Sequence, residues 1–303
     1  MDRPRRAHHL HLRRRARARP AEPGSRELSA MHALLTNDDG FDSPGLAAIR
    51  TALIGAGHDV TVVAPDGNRS ATGHAVTIRP ALELRRVTDA GEPQAIYACS
   101  GRPADCVRVG LFTDGLWPAV DVVVSGINIG INLGHDVSYS GTASAAAEAT
   151  LHGVRAIAFS QQGTAGGAPF INHSDHEYRL TGYAVRLVEA FVASEPFKSI
   201  FLNVNLPHEP TGDPSLVTRL GRRYYRSRVM PTEVAEGRWT VAPYDSADFP
   251  DPGFEDEPGT DFHATLAGQV GITPVDADRR PEGHDSRAWV EQVIARAGDV
   301  TLD

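Results

Sequence analysis

Short runs of β-branched and other apolar residues alternate along this chain with stretches of helical periodicity, and this alternation limits the possible folds more than any other feature. Strands separated by helices form parallel sheets, because a parallel pairing needs a long crossover connection. The run HDVTVVA at 58–64 is apolar almost throughout, which is typical of a strand buried on both faces. The pattern predicts an α/β fold in which a mostly parallel sheet is sandwiched by helices. The predicted strands are 32–36, 58–64, 94–98, 121–124, 154–159 and 199–205, and the predicted helices are 44–56, 103–116, 142–152 and 178–193.

The chain after Pro207 has a different texture. Pro and Gly interrupt acidic loops there, above all at 245–259. No helical stretch between the strand-like pieces is long enough for a crossover. We therefore expect an α/β catalytic core at 31–207, followed at 208–303 by β-hairpins, an oligomerisation arm and a C-terminal helix at 286–297. The strand-like pieces of this extension are 216–229, 238–243 and 268–273.

The start of the chain differs from the rest in charge. Residues 1–30 contain nine arginines against three acidic residues, whereas the rest of the chain has 21 basic and 35 acidic side chains. The tract at 13–20 has no apolar periodicity, so we expect residues 1–30 to be a disordered basic leader. An over-long translated start with Met31 as the first residue is the simplest interpretation; a nucleic-acid tail and a targeting signal are alternatives. The acidic remainder predicts no duplex nucleic acid partner, because duplex binding depends on Lys and Arg contacts to phosphate.

Cysteine content and hydropathy exclude several classes of protein. Cys99 and Cys106 are the only cysteines, which excludes a disulfide framework and a zinc site of CxxC spacing. A reducing, cytoplasmic location is the simplest expectation. No apolar run approaches the roughly 20 residues that cross a bilayer, so no membrane partner is predicted.

Two adjacent carboxylates follow the first predicted strand, in the segment Asn37-Asp38-Asp39-Gly40. In open α/β sheets, ligands bind beyond the carboxyl ends of the strands. Adjacent carboxylates at a strand tip repel each other unless a cation lies between them, and Mg²⁺ and Mn²⁺ prefer oxygen ligands. The segment therefore indicates a divalent cation site. The alternative is a plain turn in which Asp39 caps the next helix.

Two later loops offer neutral oxygen donors and an anion site. The glycine-rich segment at 125–134 lets the backbone approach a ligand closely and presents Asn128. Ser140, Gly141 and Thr142 precede a predicted helix, and N–H groups and hydroxyls at a helix N-terminus bind anions. Taken alone, Ser140 could be a plain N-cap. Carboxylates beside an anion site indicate metal-assisted phosphoryl chemistry.

Seven segments, in this order, carry a resemblance to a known family: NDDG at 37–40 with SPG at 43–45, VVAPDGNRSATGHAVTI at 62–78, GRPADCV at 101–107, DVVVSGINIGINLG at 121–134, YSGTASAAAEA at 139–149, LNVNLP at 202–207 and PGTDFHATLAGQVGITPV at 258–275. Together they resemble the SurE family of stationary-phase survival proteins. The resemblance implies a Rossmann-like α/β core with a C-terminal β-hairpin extension, assembled as a homodimer or homotetramer. It also implies a cytoplasmic phosphomonoesterase that hydrolyses nucleoside 5′- and 3′-monophosphates with one divalent ion, Mg²⁺ or Mn²⁺, per subunit.

The resemblance also implies roles for individual residues. We hypothesise that the cation polarises a phosphoryl oxygen and activates a water, while Asp38 orients or deprotonates that water. His74 could protonate the leaving oxygen, although a lone histidine in a polar loop is more often structural. Arg69 or Arg102 would meet the substrate charge locally, and a threonine often occupies the place of Arg102 in the family. By motif, the metal ligands are Asp38, Asp39, Ser70 and Asn128; the catalytic residues are Asp38, Asn37 and Ser125; and the phosphate-binding residues are Ser140, Gly141 and Thr142.

Two other functions are compatible with the sequence. A serine hydrolase could use Ser125 or Ser140, but no GxSxG elbow surrounds either residue and a metal requirement would be unexplained. A non-catalytic, metal-dependent nucleotide-binding sensor would bind a nucleoside monophosphate and release no phosphate. The adjacent carboxylates favour the enzyme.

Overall fold

The computed structural model describes residues 30–89, 94–163, 177–195, 199–224, 230–241, 253–278 and 286–299, so residues 1–29 of the predicted leader lie outside it. The strands are β1 (His32–Thr36), β2 (Asp59–Pro65), β3 (Leu84–Arg86), β4 (Ile96–Cys99), β5 (Val122–Ile129), β6 (Arg155–Gln161), β7 (Ile200–Leu206), β8 (Leu216–Val217), β9 (Arg223–Tyr224), β10 (Thr232–Ala235), β11 (Arg238–Thr240), β12 (Gly253–Phe254) and β13 (Gly271–Asp276). The helices are α1 (Pro44–Gly55), α2 (Pro103–Phe112), α3 (Gly141–Leu151), α4 (Thr181–Ala193), α5 (Asp261–Leu266) and α6 (Ser286–Ala297), with a 3₁₀ helix at Gly134–Ser138.

Nine of these strands form one sheet in the order β3-β4-β2-β1-β5-β6-β7-β13-β8. The pairings from β4 through β2, β1, β5 and β6 to β7 are all parallel, and β3 and β13 pair with their inner neighbours antiparallel. The predicted α/β fold with a mostly parallel sheet between helices is therefore confirmed. None of the helices in the described segments has the length and apolarity that a membrane span requires.

Alternate side chains of each inner strand enter cores on opposite faces of the sheet, as the pleat requires. On β1, Ala33 and Leu35 join the core under α1, α4 and α6, whereas Leu34 joins the core under α2 and α3. Both faces are covered, which explains why the strand sequences are continuously apolar. Loops cover the edge of the sheet at which the parallel strands end.

The chain reverses its direction of winding at β1, which lies between β2 and β5. Ligands of open α/β sheets bind at such a switch point, beyond the carboxyl ends of the two strands. Here β1 ends in Thr36, whose register partner in β5 is Ser125. The segment beginning at Asn37 and the end of β5 are therefore brought side by side.

The residues after Pro207 contribute to the main sheet as well as to an extension. β13 adds to the sheet antiparallel to β7, and Trp289, Val290 and Val293 of α6 are buried in the core that also holds α4. β9 pairs with β12, and β10 pairs with β11 as a separate hairpin. The division of the chain at residue 207 stays a prediction.

Several predicted element bounds need correction. The helix predicted at 103–116 ends at Phe112, because the chain turns there and Trp117 Nε1 donates back to the carbonyl of Gly110 at 2.7 Å. The strand predicted at 121–124 continues as β5 to Ile129, since Asn128 and Ile129 still pair with β6. The strand-like piece at 216–229 is two short strands, and that at 238–243 is a strand only to residue 240; residues 225–229 and 242–243 lie outside the described residues. β3, β10, β12, α5 and the 3₁₀ helix were not predicted.

A single buried carboxylate fastens α3 to its surroundings. Glu148 accepts hydrogen bonds from His74 in the loop after β2, from Arg108 of α2 and from His152 at the end of α3, at 2.7, 2.8 and 2.9 Å. These partners lower the pKa of Glu148 from 4.5 to about 2, with the hydrogen bond from His74 as the largest cause. Ionised Glu148 therefore stabilises the packing of the loop and both helices around this face of the sheet.

We expect Glu148→Gln to lower the free energy of unfolding at pH 7 by on the order of 3 kcal/mol, the equivalent of the pKa shift. Because the folded-state pKa is depressed, the stabilisation is present above pH 4.5 and is lost as the pH falls towards 2. Urea denaturation of the wild type and the variant between pH 7 and pH 3 measures how the difference between their free energies of unfolding becomes smaller. As a control, Glu257→Gln removes an exposed pair with Arg219 and should cost less than about 1 kcal/mol. A loss that does not vary with pH would contradict the assignment.

Candidate active site

Asn37 builds the turn that presents the two carboxylates. Its side-chain Nδ2 donates to the carbonyl of Gly40 at 2.9 Å and to Ser43 Oγ at 2.6 Å, while its Oδ1 accepts from Gly40 N at 3.2 Å. Ser43 in turn is the N-cap of α1. The fully buried Asn37 amide is thus used within the turn, and its contribution to the site is to fix the directions of Asp38 and Asp39.

Asp38 is buried against the N-terminus of α3. Its Oδ2 accepts from Gly141 N at 3.0 Å and Thr142 N at 3.2 Å, and its Oδ1 accepts from Thr142 Oγ1 at 2.5 Å. Burial raises the pKa of Asp38, and these hydrogen bonds act in the opposite direction. The N-terminus of α3 therefore binds a carboxyl side chain of the protein itself in this structure, and its use as a phosphate site stays a prediction.

Asp39 points toward the end of β5. One of its carboxylate oxygens accepts from Ile129 N at 3.0 Å, and burial followed by the charge of Asp38 raises its pKa to about 6. Asn128 lies in the same strand end, where its Nδ2 donates to the carbonyls of Ile129 and Gly130 at 3.3 and 2.8 Å. Since the amide N–H groups of Asn128 are used by these carbonyls, its side-chain oxygen is the group available to a ligand.

The loop after β2 is hydrogen-bonded to the backbone at Asp38 and just before α3. Arg69 N donates to the carbonyl of Asp38 at 2.7 Å, and Gly73 N donates to the carbonyl of Tyr139 at 2.9 Å. Ser70 lies between these two anchors with an exposed side chain, and its N–H is bonded to Asn68 Oδ1. The loop therefore brings Ser70 to the same edge of the sheet as Asp38 and the start of α3.

The predicted phosphate-binding residues form the first turn of α3. Ser140 is the N-cap, and its Oγ accepts from Ala143 N at 3.0 Å. The N–H groups of Gly141 and Thr142 are the donors that hold Asp38. Ser140 is thus the N-cap that the sequence offered as one interpretation, and phosphate binding by this turn stays a prediction.

Ser125 does not have the surroundings of a nucleophile. Its Oγ is fully buried and has no hydrogen-bond partner in the described part of the chain, and the same holds for Thr36 Oγ1 on the neighbouring strand. A serine nucleophile requires a base within hydrogen-bond reach. Neither Ser125 nor Ser140 contacts a histidine or carboxylate base through its hydroxyl, so the geometry does not support the serine hydrolase alternative.

The donor set fits a hard divalent cation. Among the described residues no cluster of three or more His, Cys, Asp or Glu side chains could hold a metal, so a cation here must also use neutral oxygen donors. Asp38 and Asp39 supply carboxylates whose pKa values are both raised, and a bound cation would stabilise their charged forms. Asn128 and Ser70 supply an amide and a hydroxyl oxygen, which are ligands that Mg²⁺ and Mn²⁺ accept.

Sequence reasoning missed three groups that shape this site. Ile129 acts through its backbone N–H, which no side-chain pattern reveals. Pro103 lies against the first turn of α3, since a Cβ added at Gly141 would be 2.9 Å from its Cγ. Glu148 could have been noticed, because it is the single charged residue in the alanine-rich segment GTASAAAEATL and so needs partners when the helix is buried.

We expect Gly141→Ala to destabilise the protein by roughly 1–3 kcal/mol, because overpacking forces its neighbours to move. A Cβ at Gly141 would lie 2.8 Å from Asp38 Cβ and 2.9 Å from Asp38 Oδ2. Gly55→Ala is the matched control: Gly55 ends α1, and a Cβ there meets nothing within 4 Å. Urea denaturation should show a loss for Gly141→Ala and no loss for Gly55→Ala. Equal stabilities of the two variants would show that the first turn of α3 is not packed against Asp38.

Comparison with known proteins agrees with this geometry. The family model described as Survival protein SurE matches residues 33–227. 5′-Nucleotidase SurE of Pelobacter propionicus is 41% identical over 254 residues, covering 82% of this chain and 94% of that protein, and that of Geobacter sulfurreducens is 41% identical over 254 residues, covering 82% and 88%. The crystal structure of the SurE protein from Aquifex aeolicus superposes with a TM-score of 0.66 at 33% identity, covering 86% of this chain and 99% of that one. The resemblance read from the sequence is confirmed, and the chain belongs to the SurE family.

Proposed function

We propose that this protein is a metal-dependent phosphomonoesterase that hydrolyses nucleoside 5′-monophosphates, and also 3′-monophosphates, to nucleoside and phosphate. The observation that carries the proposal is the position of Asp38 and Asp39: two adjacent carboxylates at the switch point of the sheet, directly opposite the N-terminus of α3. One side of this cleft binds a cation and the other binds an anion. A phosphate ester bound to a divalent ion requires that combination.

The residues of the site have different roles in the proposed hydrolysis. Asp38, Asp39, Asn128 and Ser70 hold one divalent cation, Mg²⁺ or Mn²⁺, which when bound polarises a phosphoryl oxygen and activates a water. Asp38 would orient that water or take its proton. The water oxygen bonds to phosphorus as the ester bond to the ribose oxygen breaks.

The first turn of α3 binds the phosphate of the substrate. Gly141 N and Thr142 N donate to Asp38 in this structure. With a cation held by Asp38, these N–H groups would donate to phosphate oxygens instead. Arg69 and Arg102 bring positive charge to an otherwise acidic chain. His74 is bonded through Nε2 to Glu148 at 2.7 Å, so the donation of a proton from His74 to the leaving oxygen stays a prediction.

The family relatives support the substrate class. The curated relatives are named 5′-nucleotidases, so the prediction of an enzyme of this type is confirmed through them. Activity on 3′-monophosphates and the identity of the ion are part of the proposal. A cytoplasmic location is proposed as well, since Cys99 and Cys106 are buried free thiols, which fits a reducing compartment. A non-catalytic nucleotide sensor would use the same site without phosphate release.

We expect phosphate release from a panel of nucleoside 5′- and 3′-monophosphates to require Mn²⁺ or Mg²⁺ and to stop with EDTA. Asp39→Asn should lower kcat/KM at least a hundredfold, because it removes a charged ligand of the cation. Asp42→Asn is the matched control, since Asp42 is an exposed carboxylate three residues away in the same loop, and its activity should equal that of the wild type. Nucleotide binding that needs metal but gives no phosphate would overturn the enzyme in favour of the sensor.

The hairpin β10–β11 supports the proposed homodimer or homotetramer. Every residue of its two strands is exposed, including Val234 and Trp239. An isolated two-stranded hairpin is marginally stable in water, and exposed apolar side chains on it favour packing against another chain. We propose that this hairpin is the oligomerisation arm and that it packs on a second copy of the protein.

We expect the double substitution Val234→Ser with Trp239→Ser to weaken this assembly. Light scattering after size exclusion should then give the mass of one 32.5-kDa chain, whereas the wild type should give two or four chains. Leu116→Ser, at an exposed position in the turn after α2, is the control and should leave the mass unchanged. A wild type that is monomeric at micromolar concentration would contradict the proposed assembly.

A further inference from the structure

The 3₁₀ helix Gly134–Ser138 joins the end of the Asn128 loop to the start of α3, and residues of the C-terminal extension hold it at Gly134 and at Asp136. Any shift of this short helix would be passed to Ser140, because Ser140 N donates to the carbonyl of Asp136 at 3.0 Å. Tyr139 N donates to the same carbonyl at 2.9 Å. The placement of the first turn of α3 thus depends on what fixes Asp136 and Gly134.

Asp261 fixes the beginning of the 3₁₀ helix. It is the first residue of α5 and is fully buried. Its Oδ2 accepts from Gly134 N at 2.7 Å, and its Oδ1 accepts from Gly221 N at 2.8 Å and from Phe262 N at 3.0 Å. One carboxylate therefore joins three segments of backbone, and hydrogen bonds to a charged acceptor are stronger than those between neutral groups.

Close packing reinforces this junction. A Cβ at Gly134 would lie 2.6 Å from the carbonyl oxygen of Gly221 and 2.7 Å from Phe262 Cε2, so the backbone at Gly134 has no room for a side chain. The ring of Phe262 also packs with Ile131 and Leu133, which precede Gly134. The extension is therefore in tight contact with the segment that leads from Asn128 to α3.

Arg223 fixes the middle of the 3₁₀ helix. Its guanidinium forms an ion pair with the carboxylate of Asp136, and the two side chains are only 9% and 14% exposed. Arg223 belongs to β9, which follows Gly221 after one residue and pairs with β12. A largely buried pair of this kind is costly to break by removal of one partner, because the other charge is left without compensation.

We propose that Asp261, Arg223 and Asp136 are positioning residues, through which the C-terminal extension sets the place of Ser140, Gly141 and Thr142 opposite Asp38. The expected effect of these residues on kcat rests on the proposed phosphomonoesterase function. Their expected effect on the position of the first turn of α3 does not. The N–H donors that would bind the substrate phosphate are therefore aligned by residues that lie about a hundred positions further along the chain. Misplacement of such donors by as little as 1 Å can cost about a hundredfold in rate.

The pair of Arg223 and Asp136 allows a double-mutant cycle. We expect Asp136→Asn and Arg223→Gln each to lower kcat for nucleoside monophosphate hydrolysis roughly tenfold or more, with KM changed less. The double variant should be no worse than either single variant, because both substitutions break one contact. Arg223→Lys keeps the charge and should recover most of kcat. Glu257→Gln, in an exposed ion pair of the same extension, is the control and should leave kcat unchanged.

Two readouts separate this inference from the proposed function. Hydrogen exchange should become faster at the amides of 139–142 in the Asp136 and Arg223 variants, and their affinity for Mn²⁺ should fall, whether or not the protein hydrolyses nucleotides. A wild type without phosphatase activity would sink the proposed function and leave this test intact. Unchanged exchange at 139–142 with unchanged kcat would overturn the positioning role, as would losses that simply add in the double variant.

Asp261→Asn tests the beginning of the 3₁₀ helix, where Asp261 binds Gly134 N. It keeps the size of the side chain and weakens the three hydrogen bonds, so we expect faster exchange at 139–142 and a lower kcat in folded protein. If this variant fails to fold, the Asp136 and Arg223 variants decide the question, because they remove one ion pair whereas Asp261→Asn weakens three hydrogen bonds. Folded Asp261→Asn with wild-type kcat and exchange would refute the role of Asp261.

Discussion

The burial of Asp38 beside Asp39 is the constraint on which the rest of the structure depends. A carboxylate removed from water must be bonded or neutralised, and two adjacent ones repel each other. The fold meets this requirement by placing the first turn of α3 against Asp38 and the N–H of Ile129 against Asp39. Their pKa values nevertheless stay raised, because burial outweighs these hydrogen bonds. The charged forms of both carboxylates are therefore disfavoured in the protein alone, and a cation at this edge of the sheet would stabilise them.

The burial of these two carboxylates explains why the backbone around them is closely packed. A Cβ at Gly45 would lie 1.9 Å from the carbonyl oxygen of Ile127, and one at Gly126 would lie 2.3 Å from that of Phe159. Gly126 also has a φ of +118°, which side-chain-bearing residues rarely adopt. These glycines let α1, the end of β5 and β6 approach each other near the carboxylates. The donors of the site are thereby held by backbone contacts, which are stiffer than side chains alone.

Much of the fold and of the candidate site could be predicted from the sequence. Buried parallel strands are marked by continuous apolar runs, and the polar residues that follow them had to gather at one edge of the sheet. Asp38, Asp39, Asn128 and Ser140 were chosen as candidates in this way, and the fold brings them to one edge of the sheet. The end of α2 was misplaced, because the turn that brings Trp117 back to Gly110 depends on a contact within the folded chain. Parts of the extension were hard to predict, since β8, β9 and β12 are only two residues long and have little periodicity.

The sequence by itself determined which polar groups follow the strands and at which edge of the sheet they lie. It specified two carboxylates, an amide, hydroxyls and a helix start, each after a strand of a parallel sheet. Only the tertiary structure decided that Asp38 is the group held by the N-terminus of α3, that Glu148 joins two helices to a loop, and that Asp261 and Arg223 hold the segment before α3. The physical reason is distance along the chain: these contacts join residues separated by 40 to 127 positions, and no local pattern encodes such pairs.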